Sequence, residues 1–252
     1  DSPPPQVIPV VALPSAPTID GELTEWDAGA WQTVPITPAL KDDKKNRVGE
    51  STVALQMATF GDTIYSAVRW ADPKPDTSYK PWRWADTSYR RGKEADDMFA
   101  LRFEMGGDYD SCMLTHKEYE IDVWLWSAGR SNDSGYAEDM HHRISSKMIE
   151  NAAEYKYEGA TVYIKKQRDA GVPIYHNARI NKRKFSQEKL DSIISEPSPA
   201  GSVADVHAKG VWRDGFWQLE MSRSLDSGHS DDAMLKGIAE IRGAIAVFDR
   251  DD

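Results

Sequence analysis

The chain has 252 residues and a formal net charge of −10. So acidic a chain is a poor ligand for nucleic acid or an anionic membrane surface, and no run of residues is long and apolar enough to span a bilayer. The single cysteine, Cys112, excludes an intrachain disulfide, while nine Trp and ten Tyr point to rigid aromatic packing.

The chain starts Asp1-Ser2-Pro3-Pro4-Pro5. That is the pattern of a mature chain after removal of an export signal, so a periplasmic protein with an extended tether over residues 1–6 is expected. Residues 7–13 read as a first strand, and Ile19-Asp20-Gly21 as a turn with Trp26 buried behind it. Residues 52–57 and 63–70 both alternate around Gly61-Asp62 and predict a hairpin. A loop rich in Pro, Trp and Tyr follows over 73–89, then strands over 96–103 and 120–126. In the second of these Ile121, Val123 and Leu125 alternate with Asp122, Trp124 and Trp126. Residues 127–160 are polar and irregular, with a short helix expected over 144–153. After a strand at 161–165, a polar insertion over 167–204 carries a helix expected at 185–194, ended by Pro197 and Pro199. Strands at 206–211, 216–222 and 241–248 complete the chain, the first two joined by Asp214-Gly215. Many short strands with turn signals between them predict a mainly β, antiparallel sandwich with short helices in its insertions, built as a single domain over 1–252.

Chemistry concentrates in Cys112-Met113-Leu114-Thr115-His116, where a thiol, a thioether and an imidazole lie within five positions. These are soft or borderline ligands suited to iron. The pattern is C-x-x-T-H, one cysteine short of the C-x-x-C-H of covalent haem attachment; spacing alone equally describes a loop with a buried Cys and a surface His. Trp124 and Trp126 share a strand face and fit either a haem pocket or ordinary core. Arg130 and Arg223 are candidate propionate partners or, equally, salt-bridging residues. His141-His142 reads as an exposed loop pair with Met140 beside it. His176 and His229 read as surface residues, and the Glu94-Asp96-Asp97 cluster as a solvated face or cation site. No Ser-His-Asp order, phosphate-cradling glycine loop or zinc spacing is apparent.

Three stretches carry a resemblance. The opening Ile19-Asp20-Gly21-x-Leu23-x-x-Trp26 resembles sandwich domains related to family 9 carbohydrate-binding modules. The stretch from Cys112 to Arg130 with Gly135-Tyr136-Ala137-Glu138-Asp139, the run from Ala204 to Leu225, and the ending over 243–249 resemble the haem-binding domain of the ethylbenzene dehydrogenase family. That family includes gamma subunits accompanying molybdenum and iron–sulfur subunits, and separate periplasmic cytochromes. The resemblance implies a mono-haem electron-transfer protein with a redox partner and no substrate chemistry of its own. It implies Met113 and Lys209 as axial ligands of a b-type haem, with His116 as rival ligand. A c-type haem held by a single thioether to Cys112 is the alternative. A lysine ligand must be neutral, which an apolar pocket favours by penalising the charge. Without haem, the same fold reads as a carbohydrate-binding module, with Trp82 and Trp84 as stacking platforms. A catalytic haem is the least favoured reading, because two protein axial ligands leave iron no open position.

Overall fold

The computed structural model describes residues 5–38 and 48–249. Of the tether expected over 1–6, only Pro5 and Gln6 are described; they are exposed and lie outside any strand.

The strands in chain order are β1 (Val10–Ala12), β2 (Gln32–Ile36), β3 (Ser51–Phe60), β4 (Thr63–Ala71), β5 (Trp82–Ala85) and β6 (Ser88–Arg91). Then come β7 (Met98–Gly107), β8 (Tyr119–Ser127), β9 (Glu138–Ser145), β10 (Ala153–Tyr157), β11 (Ala160–Arg168) and β12 (Tyr175–Asn177). The last are β13 (Lys189–Leu190), β14 (Ile193–Ser195), β15 (His207–Arg213), β16 (Phe216–Ser224) and β17 (Gly243–Phe248). One six-stranded sheet has the order β1-β3-β4-β16-β15 with β2 also on β3; a second runs β10-β11-β9-β8-β7-β17. Two small sheets, β12-β14 and β13-β5-β6, are built from the insertions.

Tight turns set the registers. Asp214 and Gly215 both adopt positive φ, 52° and 82°, between Arg213 and Phe216, as does the pair Glu158-Gly159 between β10 and β11. Such mirror-image turns match the twist of the strands they join. The inner faces of the two large sheets then meet as a sandwich. Trp70 stacks on Phe99 at 5.5 Å, and Trp126 meets Trp217 edge-on at 5.0 Å. Gly210 makes this possible: a Cβ there would lie 2.3 Å from the Trp126 ring. Asn132 ties the sheets together, accepting from Trp126 Nε1 and from the Gly210 N–H at 2.9 and 2.7 Å.

The fold class is as the sequence predicts, but both expected helices are absent. Ile144 and Ser145 end β9, Asn151 takes a left-handed turn (φ 61°), and Ala153 opens β10. In the second region the Tyr89 hydroxyl accepts the Ser186 and Gln187 N–H groups, Lys189–Leu190 pair with β5 and Ile193–Ser195 with β12. Those tertiary partners take the backbone groups a helix needs, so context overrides propensity. The short helical turns in the insertions are 3-10 turns at Asn132–Ser134 and Ser202–Ala204. The 73–89 loop likewise contains β5 and the start of β6.

Candidate functional site on the outer face of the second sheet

The segment between β7 and β8 folds back over one end of the second sheet. Asp110 organises it: one carboxylate oxygen accepts the Cys112 N–H at 2.9 Å, while the other lies 3.3 Å from Lys117 Nζ. Burial pushes the Asp110 carboxyl up, but the Cys112 N–H and the Lys117 charge outweigh it and hold the group below its usual range. The Tyr119 hydroxyl donates to the Cys112 carbonyl at 2.9 Å, and the Cys112 thiol points at the Leu114 carbonyl at 3.5 Å. Pinned this way, the loop packs Met113 and Leu114 against the apolar cluster that includes Ile121, Val123 and Ile144. His116 turns outward instead, 3.6 Å from Glu158 and beside the Tyr157 ring.

Cross-strand register defines the face beneath the loop. Ile121 pairs with His142 and Val123 with Met140, so all four point outward, as does Leu125 two residues on. Ala100 and Arg102 of β7 and Ala246 of β17 extend the same face. Leu125, Met140, Ala246 and Phe248 on it are only half-buried.

The feature that the sequence concealed is His142. It is 6% exposed, and neither ring nitrogen has a hydrogen-bond partner among the described residues. Burial pushes its pKa down to about 3, helped by the charges of Lys166 and Arg102. The imidazole is therefore neutral at physiological pH with a lone pair available, the form that ligates metals. The exposed-loop reading of His141-His142 is thus corrected. The two alternate on β9, with His141 Nε2 lying 3.0 Å from a Glu120 carboxylate oxygen, to which it donates, on the opposite face. The strand signal was the alternation Met140, His142, Ile144, hidden by the polar residues between.

At the far end of this face lies a cleft of about 310 Å³ lined by Tyr79, Arg130, Arg168, Pro173, Tyr175 and His176. Arg130 is held by both oxygens of buried Asp96 at 3.2 Å and touches the Met98 sulfur. Arg168 pairs with Glu138 and donates to the Tyr175 hydroxyl. Two guanidinium groups thus border the apolar strip opposite the Met113 loop.

The other predicted residues fall elsewhere. Trp124 and Trp126 are fully buried between the sheets, because alternation sends them inward when Val123 and Leu125 point out. Arg223 is also interior, 2.5 Å from Asp122 and over the Trp124 ring, not beside a surface ligand. Lys209 pairs across β15–β16 with Glu220, on the outer face of the first sheet, and its Nζ donates to the Asn132 carbonyl at 3.3 Å. Met113 and Lys209 therefore lie on opposite outer faces and do not converge. Asp96 and Asp97 are buried, correcting the solvated-face reading. Trp82 and Trp84 are half-buried: Arg91 and Lys182 sit over Trp82, and Tyr89 and Phe185 pack on Trp84.

Fold and site together define an antiparallel β-sandwich domain with a methionine-bearing loop and a buried neutral imidazole on one outer face. A family model described as ethylbenzene dehydrogenase matches residues 24–252, and the chain belongs to that family, as its motifs suggested. No curated protein matches it. Among the described residues, no helix is long and apolar enough to cross a membrane.

Proposed function

We propose that this chain is a periplasmic electron-transfer protein of the ethylbenzene dehydrogenase type, a gamma-type haem subunit that binds one b-type haem on the outer face of its second sheet. The observation that carries the reading is convergence. The Met113 loop, the buried unpartnered His142 and a half-buried apolar strip occupy one face, with Arg130 and Arg168 at its end. These residues fit the group: the Met113 thioether and the neutral His142 imidazole would hold the iron, Val123, Leu125 and Met140 would supply an apolar wall, and the guanidinium groups would meet the propionates.

Bound there, haem supplies one-electron exchange. The protein's part is to position and tune. The Asp110 turn holds Met113 down; a methionine donor favours the reduced state more than a second nitrogen donor does. The apolar wall keeps water from that side. With the iron held by two protein donors, the chain would serve an oxidoreductase without being its catalytic centre. The physiological partner is then a redox protein, with molybdenum and iron–sulfur subunits the class the family suggests. The net charge of −10 suits docking to a basic surface.

The test is the visible spectrum of the purified chain, oxidised and reduced, beside Met113→Ala, His142→Ala, His116→Ala and Lys209→Ala. The expected result is a low-spin haem whose signature and affinity fall about tenfold or more in the first two variants and hold in the others. A colourless protein under ample haem supply, or loss confined to Lys209→Ala or His116→Ala, overturns the assignment. A pyridine haemochrome α-band of the thioether type would replace the b-type haem with attachment at Cys112.

A further inference from the structure

Beyond the apolar core, the inner face of the second sheet ends in carboxylates. Asp122 and Asp139 come from β8 and β9, Asp169 follows β11, and Asp231 and Asp232 lie in the segment after β16. Asp122 and Asp139 are fully buried, and Asp169 and Asp232 are each 7% exposed. The cation set among them is Arg223, whose Nη1 lies 2.5 Å from Asp122 and 3.5 Å from both Asp139 and Asp232. One guanidinium does not balance four buried carboxylates, and uncompensated charge in a low-dielectric interior is costly.

The arrangement is not merely acidic. Oxygens of Asp169, Asp231 and Asp232 lie within 4.8 Å of one another, about twice a calcium–oxygen distance. Both oxygens of Asp169 lack a hydrogen-bond partner among the described residues, as do both of Asp139, which is fully buried next to the trio. Asp139 belongs to a second trio, Asp122–Asp139–Asp232, that shares Asp232 with the first. Arg223 already occupies that second trio; it makes no ion pair with Asp169 or Asp231. Asp231 is oriented by the Ser202 hydroxyl, which donates to it at 3.0 Å, and Asp169 N–H donates to the Asp139 carbonyl at 3.2 Å. The ligand set is thus held by β9, the end of β11, the Ser202–Ala204 turn and the 225–235 segment, pieces far apart in sequence.

We propose that Asp169, Asp231 and Asp232, backed by Asp139, bind a hard divalent cation of the calcium class that pins the 225–235 segment to the second sheet. All-oxygen, anionic and sulfur-free donors select such an ion over soft metals, and an irregular set suits calcium better than the strict octahedron of magnesium. The site is structural and lies between the sheets, on the side of the second sheet opposite Met113 and His142, so it is independent of the haem assignment.

The experiment measures metal content of the purified full chain by elemental analysis, then thermal unfolding of chelator-treated protein with calcium or magnesium chloride added. The expected result is a calcium-dependent rise in Tm on the order of 5 °C at saturating ion, smaller with magnesium. Asp169→Asn is expected to unfold no lower than the wild type in chelator, because it relieves like-charge repulsion, and to lose the calcium response; Asp232→Asn should behave alike. A chain that carries no metal as purified and shows no calcium shift overturns the proposal. So does an Asp169→Asn variant that keeps the full response.

Discussion

The two outer faces of the sandwich are built from similar strands and treated oppositely. The first sheet's outer face is sealed by the chain itself: Leu13, Ile19, Leu23, Trp26 and Trp31 cover Ala58, Tyr65 and Ala67. The buried acid on it, Glu220, is fully supplied. Trp26 Nε1 donates to one oxygen at 2.7 Å, and the Asp20 and Gly21 N–H groups donate to the other at 3.0 and 2.8 Å. The second sheet's outer face is covered at its ends, by the Met113 loop and by the Tyr175 segment, leaving between them a half-buried apolar strip and a buried imidazole without a hydrogen-bond partner among the described residues. A buried polar group that is satisfied contributes to the fold, whereas one left unsatisfied costs stability. Burial alone does not separate the two cases; the count of partners does.

Breaking the sealed face should have the largest effect. Trp26→Ala removes the seal and a donor to Glu220 together, and a loss of about 3–5 kcal/mol in urea unfolding is expected. Haem uptake by the protein that remains folded should not change. The opposite face should respond in reverse. His142→Leu replaces an unpartnered imidazole with an apolar side chain, so the haem-free chain should gain about 1 kcal/mol while haem binding is lost. A loss of haem-free stability in that variant would mean the imidazole is structurally paired.

Between the two faces, the interior governs the pH response. Asp97 accepts from Trp217 Nε1 and the Asp76 N–H. Burial, opposed by the Asp76 N–H and reinforced by the Asp72 charge, pushes its pKa from 3.8 to about 7. The folded state therefore holds a proton that the unfolded chain releases at lower pH. The stability that proton contributes is full below about pH 4 and lost as pH rises through 7. Tm should accordingly fall by a few degrees between pH 5 and pH 8, and less steeply in Asp97→Asn, which leaves the raised carboxyls of Asp169 and Asp232 in place, without altering the haem spectrum. The smallest effect is expected at Lys209→Ala, on the edge of the sealed sheet: a change within about 0.5 kcal/mol and an unaltered spectrum. A larger spectral effect there than at Met113 would reverse the comparison of the faces.

Much of this was legible beforehand. The β3–β4 hairpin with Gly61 at its turn, the β15–β16 hairpin at Asp214-Gly215 and the alternation along β8 follow from period-two patterning and turn chemistry, which act locally. The Cys112–His116 loop was recognisable as a donor-rich segment. His142 was not, because its polar neighbours mask the alternation and an adjacent histidine pair looks like a loop. The helices expected over 144–153 and 185–194 failed because backbone pairing with distant strands carries no local signature.

The sequence by itself determined the family, the β class, the main hairpins and the loop that bears Met113, since all rest on short-range pattern and composition. Only the tertiary structure decided that Trp124, Trp126 and Arg223 belong to the interior, and that Lys209 and Met113 stand on opposite faces. It alone brought His142, and the five aspartates around Arg223, into association. The reason is that period-two alternation says which side chains share a face, but only the stacking of sheets decides which face is sealed.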